Sequence, residues 1–119
     1  MPTRFPRHRS GGIEKYATED FILEGNVQIV FSSAEVSKFF SRNESSWIHH
    51  YRRRGILVDR NNDPIEPIRV NARKVMWTAE HVRDIAVCLY GRDIISLDEM
   101  KDAVRKALVA EDDLTHRFR

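Results

Sequence analysis

Cysteine is nearly absent from the sequence, and long apolar runs are absent altogether. Cys88 is the only cysteine, so an internal disulfide cannot form and nothing indicates an oxidising compartment. No apolar run reaches the roughly 18 residues that a membrane-spanning helix needs. The N-terminal residues MPTRFPRHRSGG also lack the apolar stretch of a secretory signal. These shortages predict a cytoplasmic protein without membrane association.

The motifs of catalysis and metal binding are also absent. The sequence contains no glycine-rich phosphate loop, no paired carboxylates and no nucleophile motif. His49 and His50 are adjacent and would diverge on a helix, and His81, Cys88 and His116 fall at no recognised ligand spacing. Cys88 lies in an apolar helical run, which is typical of a small buried side chain. We therefore expect no enzyme activity, no metal site and no cofactor.

Charge is plentiful but unevenly distributed. The 119 residues are 41% hydrophobic and 32% charged, which suits one soluble globular domain, and the net charge is only +2. Residues 31–60 carry six basic side chains against three acids, whereas residues 93–113 carry seven acids against three bases. The chain is therefore polarised in charge.

Composition divides the chain into three segments. The first twenty residues mix proline, glycine and charge without a sustained period, which predicts a flexible basic arm over residues 1–20. Hydrophobic periodicity then predicts a folded domain over residues 21–110. Residues 111–119 are polar and are expected to form a frayed tail.

Four helices are predicted from periodicity and from their end signals. Their expected N-terminal caps are Ser32, Ser45 or Ser46, Thr78, and Ser96. Ser32 and Ser96 are each followed three residues later by a glutamate, which is the spacing of a capping box. Gly55 and Gly91 are expected to end the second and third helices, and the fourth is expected over residues 96–110.

Short β-stretches are predicted on either side of the first two helices. Alternating β-formers predict a strand over residues 27–31. Residues 56–59 (ILVD) and 68–71 (IRVN) read as two strands joined by the turn-forming residues RNNDPIEP, which predicts a β-hairpin. The predicted fold class is therefore mainly α with a small β-hairpin.

The stretch SSWIHHYRRRG, residues 45–55, concentrates aromatic and basic side chains on the second helix. Trp47, Ile48 and Tyr51 share one face of that helix and are expected to pack on the first helix. The side chains expected to point away are His49, Arg52 and Arg53. Such a charge run is most often a solvated face, but a helix with hydroxyls at its N-terminus and cations outside also suits the major groove of DNA.

The segments FSSAEVSKFF, SSWIHHYRRRGIL, PIRVN and WTAEHVRDIA together resemble the winged helix-turn-helix of MerR and excisionase-like proteins. The resemblance covers residues 28–90 and is greatest to small phage and actinobacterial members. It implies a MerR-like winged helix-turn-helix with an extra C-terminal helix over residues 96–110. It also implies a non-enzymatic protein that binds specific sequences of double-stranded DNA, either as a transcriptional regulator or as an excisionase-like architectural factor, associated with the nucleoid.

The resemblance also implies which residues contact DNA. Those expected to approach base edges are Ser45, Ser46 and His49. Those expected to lie along the phosphate backbone are His50, Arg52, Arg53 and Arg54. The hairpin, as the wing, is expected to carry Arg60, Asn61 and Asn62 at its tip and Arg69, Arg73 and Lys74 at its base. Because an ordinary histidine titrates near about 6.5, the two histidines would make binding tighter as the pH falls.

Several alternatives remain open from the sequence. The same scaffold could serve as a protein-interaction adaptor, with Trp47 and the 96–110 helix as its contact surface. Trp47 could instead pack in the core beside Tyr51, which is the favoured interpretation. A DNA-packaging component resembling a small terminase subunit is a further possibility. The protein could act as a monomer, a homodimer or a cooperative multimer on DNA.

Overall fold

The structure is a computed structural model that describes residues 28–116. Over these residues the chain is mainly helical, with four helices and a small three-stranded antiparallel sheet. This confirms the predicted class. In chain order the elements are β1 (Phe31–Ser32), α1 (Ser33–Phe39), α2 (Ser46–Arg53), β2 (Ile68–Arg69), β3 (Val75–Trp77), α3 (Ala79–Gly91) and α4 (Leu97–His116). The flexible arm predicted over residues 1–20 lies outside the described residues.

The sheet has the order β1-β3-β2, with β3 in the centre. Phe31 of β1 lies opposite Trp77, and Ile68 of β2 lies opposite Met76. All three residues of β3 are buried, as expected for a central strand. Of the strand predicted over residues 27–31, only Phe31 is paired and residues 28–30 are not, so the prediction is wrong for those three residues, while Val27 lies outside the described residues.

The hairpin forms between different segments from those predicted. The chain reverses over residues 70–74, so β2 pairs with β3 and not with residues 56–59. At the reversal, the Asn71 side-chain oxygen accepts the backbone N–H groups of Arg73 and Lys74, at 2.8 and 3.0 Å. An asparagine that bonds the backbone ahead of it in this way stabilises a turn. The turn signal at Asn71 is present in the sequence, but Asn61 and Asn62 provide a second candidate for the hairpin turn.

Residues 56–67 form a separate irregular loop. Val58 and Pro64 make an isolated bridge, and the Asp59 carboxylate accepts the N–H groups of Asn61 and Asp63 at 2.8 and 3.0 Å. Pro64 and Pro67 lack the N–H that a continuing strand ladder requires. The loop therefore closes on itself instead of becoming one arm of the hairpin.

Three of the four helices begin at the predicted caps, which are Ser32, Thr78 and Ser96. Each cap hydroxyl accepts the N–H of the residue three positions later, at 3.1 Å, and that residue's side chain accepts the cap's own N–H. The partners are Glu35, His81 and Glu99. The capping boxes predicted at Ser32 and Ser96 are confirmed. Thr78 was predicted only as a cap, and in its box the ring nitrogen Nδ1 of His81 takes the place usually held by a carboxylate.

The helix ends follow the predictions only in part. Gly55 has a φ of +72° directly after α2 and ends it as expected. Gly91, in contrast, is the last residue of α3, and Asp93 adopts the left-handed backbone with a φ of 63°.

For the described residues, no helix combines the length and the apolar character needed to cross a membrane.

The fourth helix is longer than predicted. It begins at Leu97 and continues to His116, so the predicted end at residue 110 and the frayed tail from 111 are wrong as far as residue 116. Ala110 and Leu114 pack against the core, and that burial keeps the polar end of α4 helical. Residues 117–119 of the predicted tail lie outside the described residues.

One main hydrophobic core joins the sheet to all four helices. Trp77, predicted to be buried, is fully buried, and its indole N–H donates to the Ser33 hydroxyl at 2.9 Å. Phe31 and Phe40 are buried beside it in the same cluster. The core therefore holds the sheet, α1 and α2 in a fixed arrangement.

Candidate nucleic-acid interface

Helix α2 is anchored to the core through one face. Ile48 is fully buried, and Trp47 and Tyr51 are half-buried against the core cluster. The Trp47 ring lies 5.2 Å from the ring of Phe40 and 5.3 Å from that of Tyr51. The favoured prediction, that Trp47 packs beside Tyr51, is confirmed. These contacts fix which face of α2 is turned outward.

Arg42 adds a second anchor that the sequence reasoning missed. Its guanidinium donates to the Phe40 carbonyl at 2.8 Å and to the Glu99 carboxylate at 3.3 Å, and it lies 4.9 Å from the centre of the Trp47 ring. It thus covers Trp47 and joins the turn between α1 and α2 to the start of α4. No local signal could have identified it, because Glu99 is 57 residues away.

The outward face of α2 is cationic. Arg53 and Arg54 are exposed and Arg52 is half-exposed. Within residues 28–116, none of these three arginines forms an ion pair with a carboxylate. Arginines elsewhere on the described surface do: Arg83 and Arg105 each bind a neighbouring acid. As far as residues 28–116 are concerned, no carboxylate competes for the guanidinium groups of α2.

The N-terminus of α2 carries the two predicted serines, and both are exposed. Ser45 occupies the cap position, but its side chain makes no capping hydrogen bond, contrary to the predicted capping role. The Ser46 hydroxyl donates to the Glu44 carboxylate at 3.4 Å. Glu44, which was not selected from the sequence, therefore places a carboxylate acceptor beside the N-terminus of α2.

His49 is half-buried on the flank of α2. Burial lowers its pKa below the ordinary value of 6.5, and the nearby positive charges of Arg52 and Arg53 lower it further. Its protonation in the folded protein therefore occurs at a lower pH than the ordinary histidine value. His50 is exposed and packs edge-on against the Tyr51 ring at 5.0 Å.

The β2–β3 hairpin supplies a second cationic element. Arg69, Arg73 and Lys74 are all exposed. Arg73 and Lys74 belong to the reversal itself, so these residues, predicted at the base of the hairpin, are at its tip. The Arg69 guanidinium donates to the Ala72 carbonyl at 3.3 Å, which braces the reversal from one side.

Arg60, Asn61 and Asn62 are not at the hairpin tip, so their predicted position is wrong. They are exposed on the 56–67 loop, where Asn62 adopts a left-handed φ of 67°. Arg60 lines a cleft against α3. The structure thus separates the predicted wing residues into two groups on two different segments.

Cys88 is half-buried, and its thiol donates to the Ile56 carbonyl at 3.0 Å. It is therefore less buried than predicted. In the part of the chain that the structure describes, no three His, Cys, Asp or Glu side chains converge as a metal site would require.

Comparison with curated proteins and with solved structures gave no match. A family model described as "Domain of unknown function (DUF7229)" matches residues 21–110. The match spans most of the 119 residues and includes every element from β1 to α3 and the greater part of α4. The chain therefore belongs to the DUF7229 family.

Proposed function

We infer that the protein is a non-enzymatic, sequence-specific double-stranded DNA-binding protein of the winged helix-turn-helix type. In this role it would act by occupancy, as a transcriptional regulator or an excisionase-like architectural factor, and associate with the nucleoid. The observation that carries the proposal is the outward face of α2. Its arginines have no carboxylate partner among residues 28–116, while its other face is fixed to the core.

The order of the elements supports the proposal. Helices α1 and α2 are joined by a short turn, the β2–β3 hairpin follows, and β1 completes a sheet in which β3 is central. This arrangement suits a helix-turn-helix whose second helix enters the major groove, with the hairpin as wing. Helix α4 is then the added C-terminal helix.

Both cationic elements, α2 and the β2–β3 hairpin, would contact DNA. Arg52, Arg53 and Arg54 would contact phosphates beside the major groove, and the hairpin cations at 69, 73 and 74 would contact an adjacent phosphate or groove. Exposed Ser45 and Ser46 stand at the end of α2 that would approach base edges. Phosphate contacts would provide affinity, and the α2 N-terminus would provide sequence preference.

The experiment that tests the proposal begins with selection of bound sequences from a random duplex pool. Affinity for a selected duplex is then measured by fluorescence anisotropy over a series of salt concentrations. Each phosphate contact contributes about −0.9 to the slope of log affinity against log salt, so we expect a steep slope. Failure to enrich any duplex, or binding to a selected duplex that does not depend on salt, would contradict the proposal.

A charge-matched pair of variants locates the interface. Replacing both Arg52 and Arg53 with alanine should weaken binding to all sequences and reduce the size of the slope by as much as about 1.8. The control replaces Arg83 and Arg105, which pair with acids on α3 and α4, and so removes the same net charge. The control should keep the slope of the unaltered protein. Equal losses in the two variants would mean that net charge, and not α2, accounts for the binding.

A protein-interaction adaptor is the second candidate, and the surface of α4 favours it. Three apolar side chains of α4 are exposed: Leu97 at 41%, Leu108 at 53% and Val109 at 51%. A protein partner would cover them. Trp47 supports the adaptor less well, since Arg42, Phe40 and Tyr51 already pack around it. A gel shift with mixed genomic DNA at low salt separates the two candidates. An adaptor would not shift the DNA, and in a pulldown it would retain a protein partner in an equimolar amount.

A further inference from the structure

A cleft of about 560 Å³ lies between helix α3 and the loop that follows α2. Val58 forms part of its wall on the loop side, and Val87 and Cys88 line it on the α3 side. Val87 is 53% exposed even though the neighbouring Ala86 is fully buried in the core. The size of the cleft falls within the range of small-molecule sites, which is roughly 300 to 1,000 Å³.

The charges around the cleft leave a surplus of positive groups. Asp59 lines it, but its carboxylate already accepts two backbone N–H groups of its own loop. Asp84 lines it as well, and its carboxylate lies 3.8 Å from the Arg83 guanidinium. The other two cations of the lining are Arg60 and Arg92, and neither forms an ion pair with any described residue.

We propose that this cleft binds a small molecule with an apolar body and one anionic head group, either a carboxylate or a phosphate. The apolar body would cover Val58, Val87 and the Cys88 side chain, and so remove exposed apolar surface from water. The head group would accept hydrogen bonds from the guanidinium groups of Arg60 and Arg92, which present paired donors to either anion.

The cleft is connected to the end of α2. The Cys88 thiol is hydrogen-bonded to the carbonyl of Ile56, which follows Gly55 directly, and the 58–60 wall continues from there. Arg60 does not lie at the hairpin tip, but it is exposed on the loop that follows α2, where it would remain a candidate for contact with a DNA phosphate. This consequence rests on the proposed function: an anion bound at Arg60 competes with a DNA phosphate, so ligand and DNA each weaken the binding of the other by the same factor.

The single thiol of the chain gives a reporter inside the cleft. The test measures the rate at which iodoacetamide alkylates Cys88 in the full chain, without DNA, by intact-mass spectrometry. The probes are octanoate and octyl phosphate below their micelle concentrations, with octanol and inorganic phosphate as controls. We expect saturable protection by at least one of the two amphiphilic anions, and protection at least about tenfold weaker with either control. Comparing the two anions identifies the preferred head group.

Variants test where the anion binds. Replacing Arg60 or Arg92 with glutamine should weaken protection about tenfold, while Arg105→Gln, on α4 outside the cleft, should leave it unchanged. A two-dimensional amide spectrum supplies a second readout, with shifts expected at Val58, Val87 and Gly91. The proposal is overturned if neither anion protects Cys88, if octanol or phosphate protects equally well, or if both cleft variants retain full protection.

The DNA-binding proposal and the cleft proposal fail separately. The alkylation and spectral tests contain no DNA, so their outcome does not depend on whether the protein binds duplexes. If DNA binds but no probe protects Cys88, only the cleft proposal is wrong. If a probe protects Cys88 but no duplex is bound, the cleft remains a binding site and the competition with DNA is withdrawn.

Discussion

Replacing Arg42 with alanine removes three contacts that hold the turn between α1 and α2. The guanidinium bonds the Phe40 carbonyl at 2.8 Å, pairs with the Glu99 carboxylate at 3.3 Å and lies over the Trp47 ring at 4.9 Å. Since Trp47 is one of the side chains that seat α2 on the core, the loss should loosen α2 as well as lower the free energy of unfolding.

The magnitude follows from the type and exposure of each contact. A hydrogen bond from a charged donor contributes about 1.5 to 3 kcal/mol. The pair with Glu99 contributes only about 0.2 to 1 kcal/mol, because the two side chains are 34% and 40% exposed and solvent screens them. The contact with Trp47 adds about 0.5 to 1 kcal/mol at a solvent-accessible site. The lower ends of these ranges together predict a loss of about 2 kcal/mol for Arg42→Ala.

Urea denaturation followed by tryptophan fluorescence measures the loss. Lys38→Ala, an exposed residue of α1, is the control and should change stability by less than about 0.5 kcal/mol. A double-mutant cycle between Arg42→Ala and Trp47→Leu should give a coupling energy of at least about 0.5 kcal/mol. The reasoning is refuted if Arg42→Ala costs no more than the control, or if the cycle shows the two changes to be additive.

Three further predictions concern stability and can be measured by the same denaturation experiment. Ser37 is fully buried, and its hydroxyl has no hydrogen-bond partner among the described residues. Ser37→Ala should therefore leave stability unchanged or raise it by about 1 kcal/mol. A loss of about 1 kcal/mol would show that the hydroxyl does have a hydrogen-bond partner. Ile48→Ala should cost about 2 to 5 kcal/mol because this residue is the fully buried anchor of α2, and a loss below about 1 kcal/mol would mean that α2 is not seated as described. Burial lowers the pKa of His81 below 6.5, despite the opposing charges of Asp84 and Glu80. The unfolded chain therefore binds the proton more readily than the folded chain. The stability associated with neutral His81 is complete above pH 6.5 and is lost as the pH falls through the lower pKa of the folded state. His81→Gln keeps a capping acceptor and should flatten the pH profile between pH 7.5 and 5, and an unchanged profile would contradict the assignment.

The helix starts could be predicted from the sequence because their chemistry is local. A capping hydroxyl and its partner are three residues apart, so Ser32, Thr78 and Ser96 carry the signal within one turn of helix. The inward face of α2 was likewise fixed by periodicity. Ser45 is the exception, since an exposed serine at the correct position made no bond there.

Features that depend on distant contacts could not be predicted. Two turn-forming stretches, around residues 61 and 71, compete for the hairpin, and only the pairing of β2 with the buried β3 decides between them. The continuation of α4 beyond residue 110 depends on the packing of Ala110 and Leu114, which overrides a polar local sequence. The sites at Arg42 and in the cleft join segments that are far apart along the chain.

The central claim is that duplex DNA contacts the outward face of α2 together with the β2–β3 hairpin. A titration of the full chain with a selected duplex, followed by two-dimensional amide spectra, tests this most directly. The account predicts shifts concentrated in residues 45–54 and 69–74, with little change along the outer face of α4. Shifts confined to α4, or no saturable shifts at low salt, would contradict it.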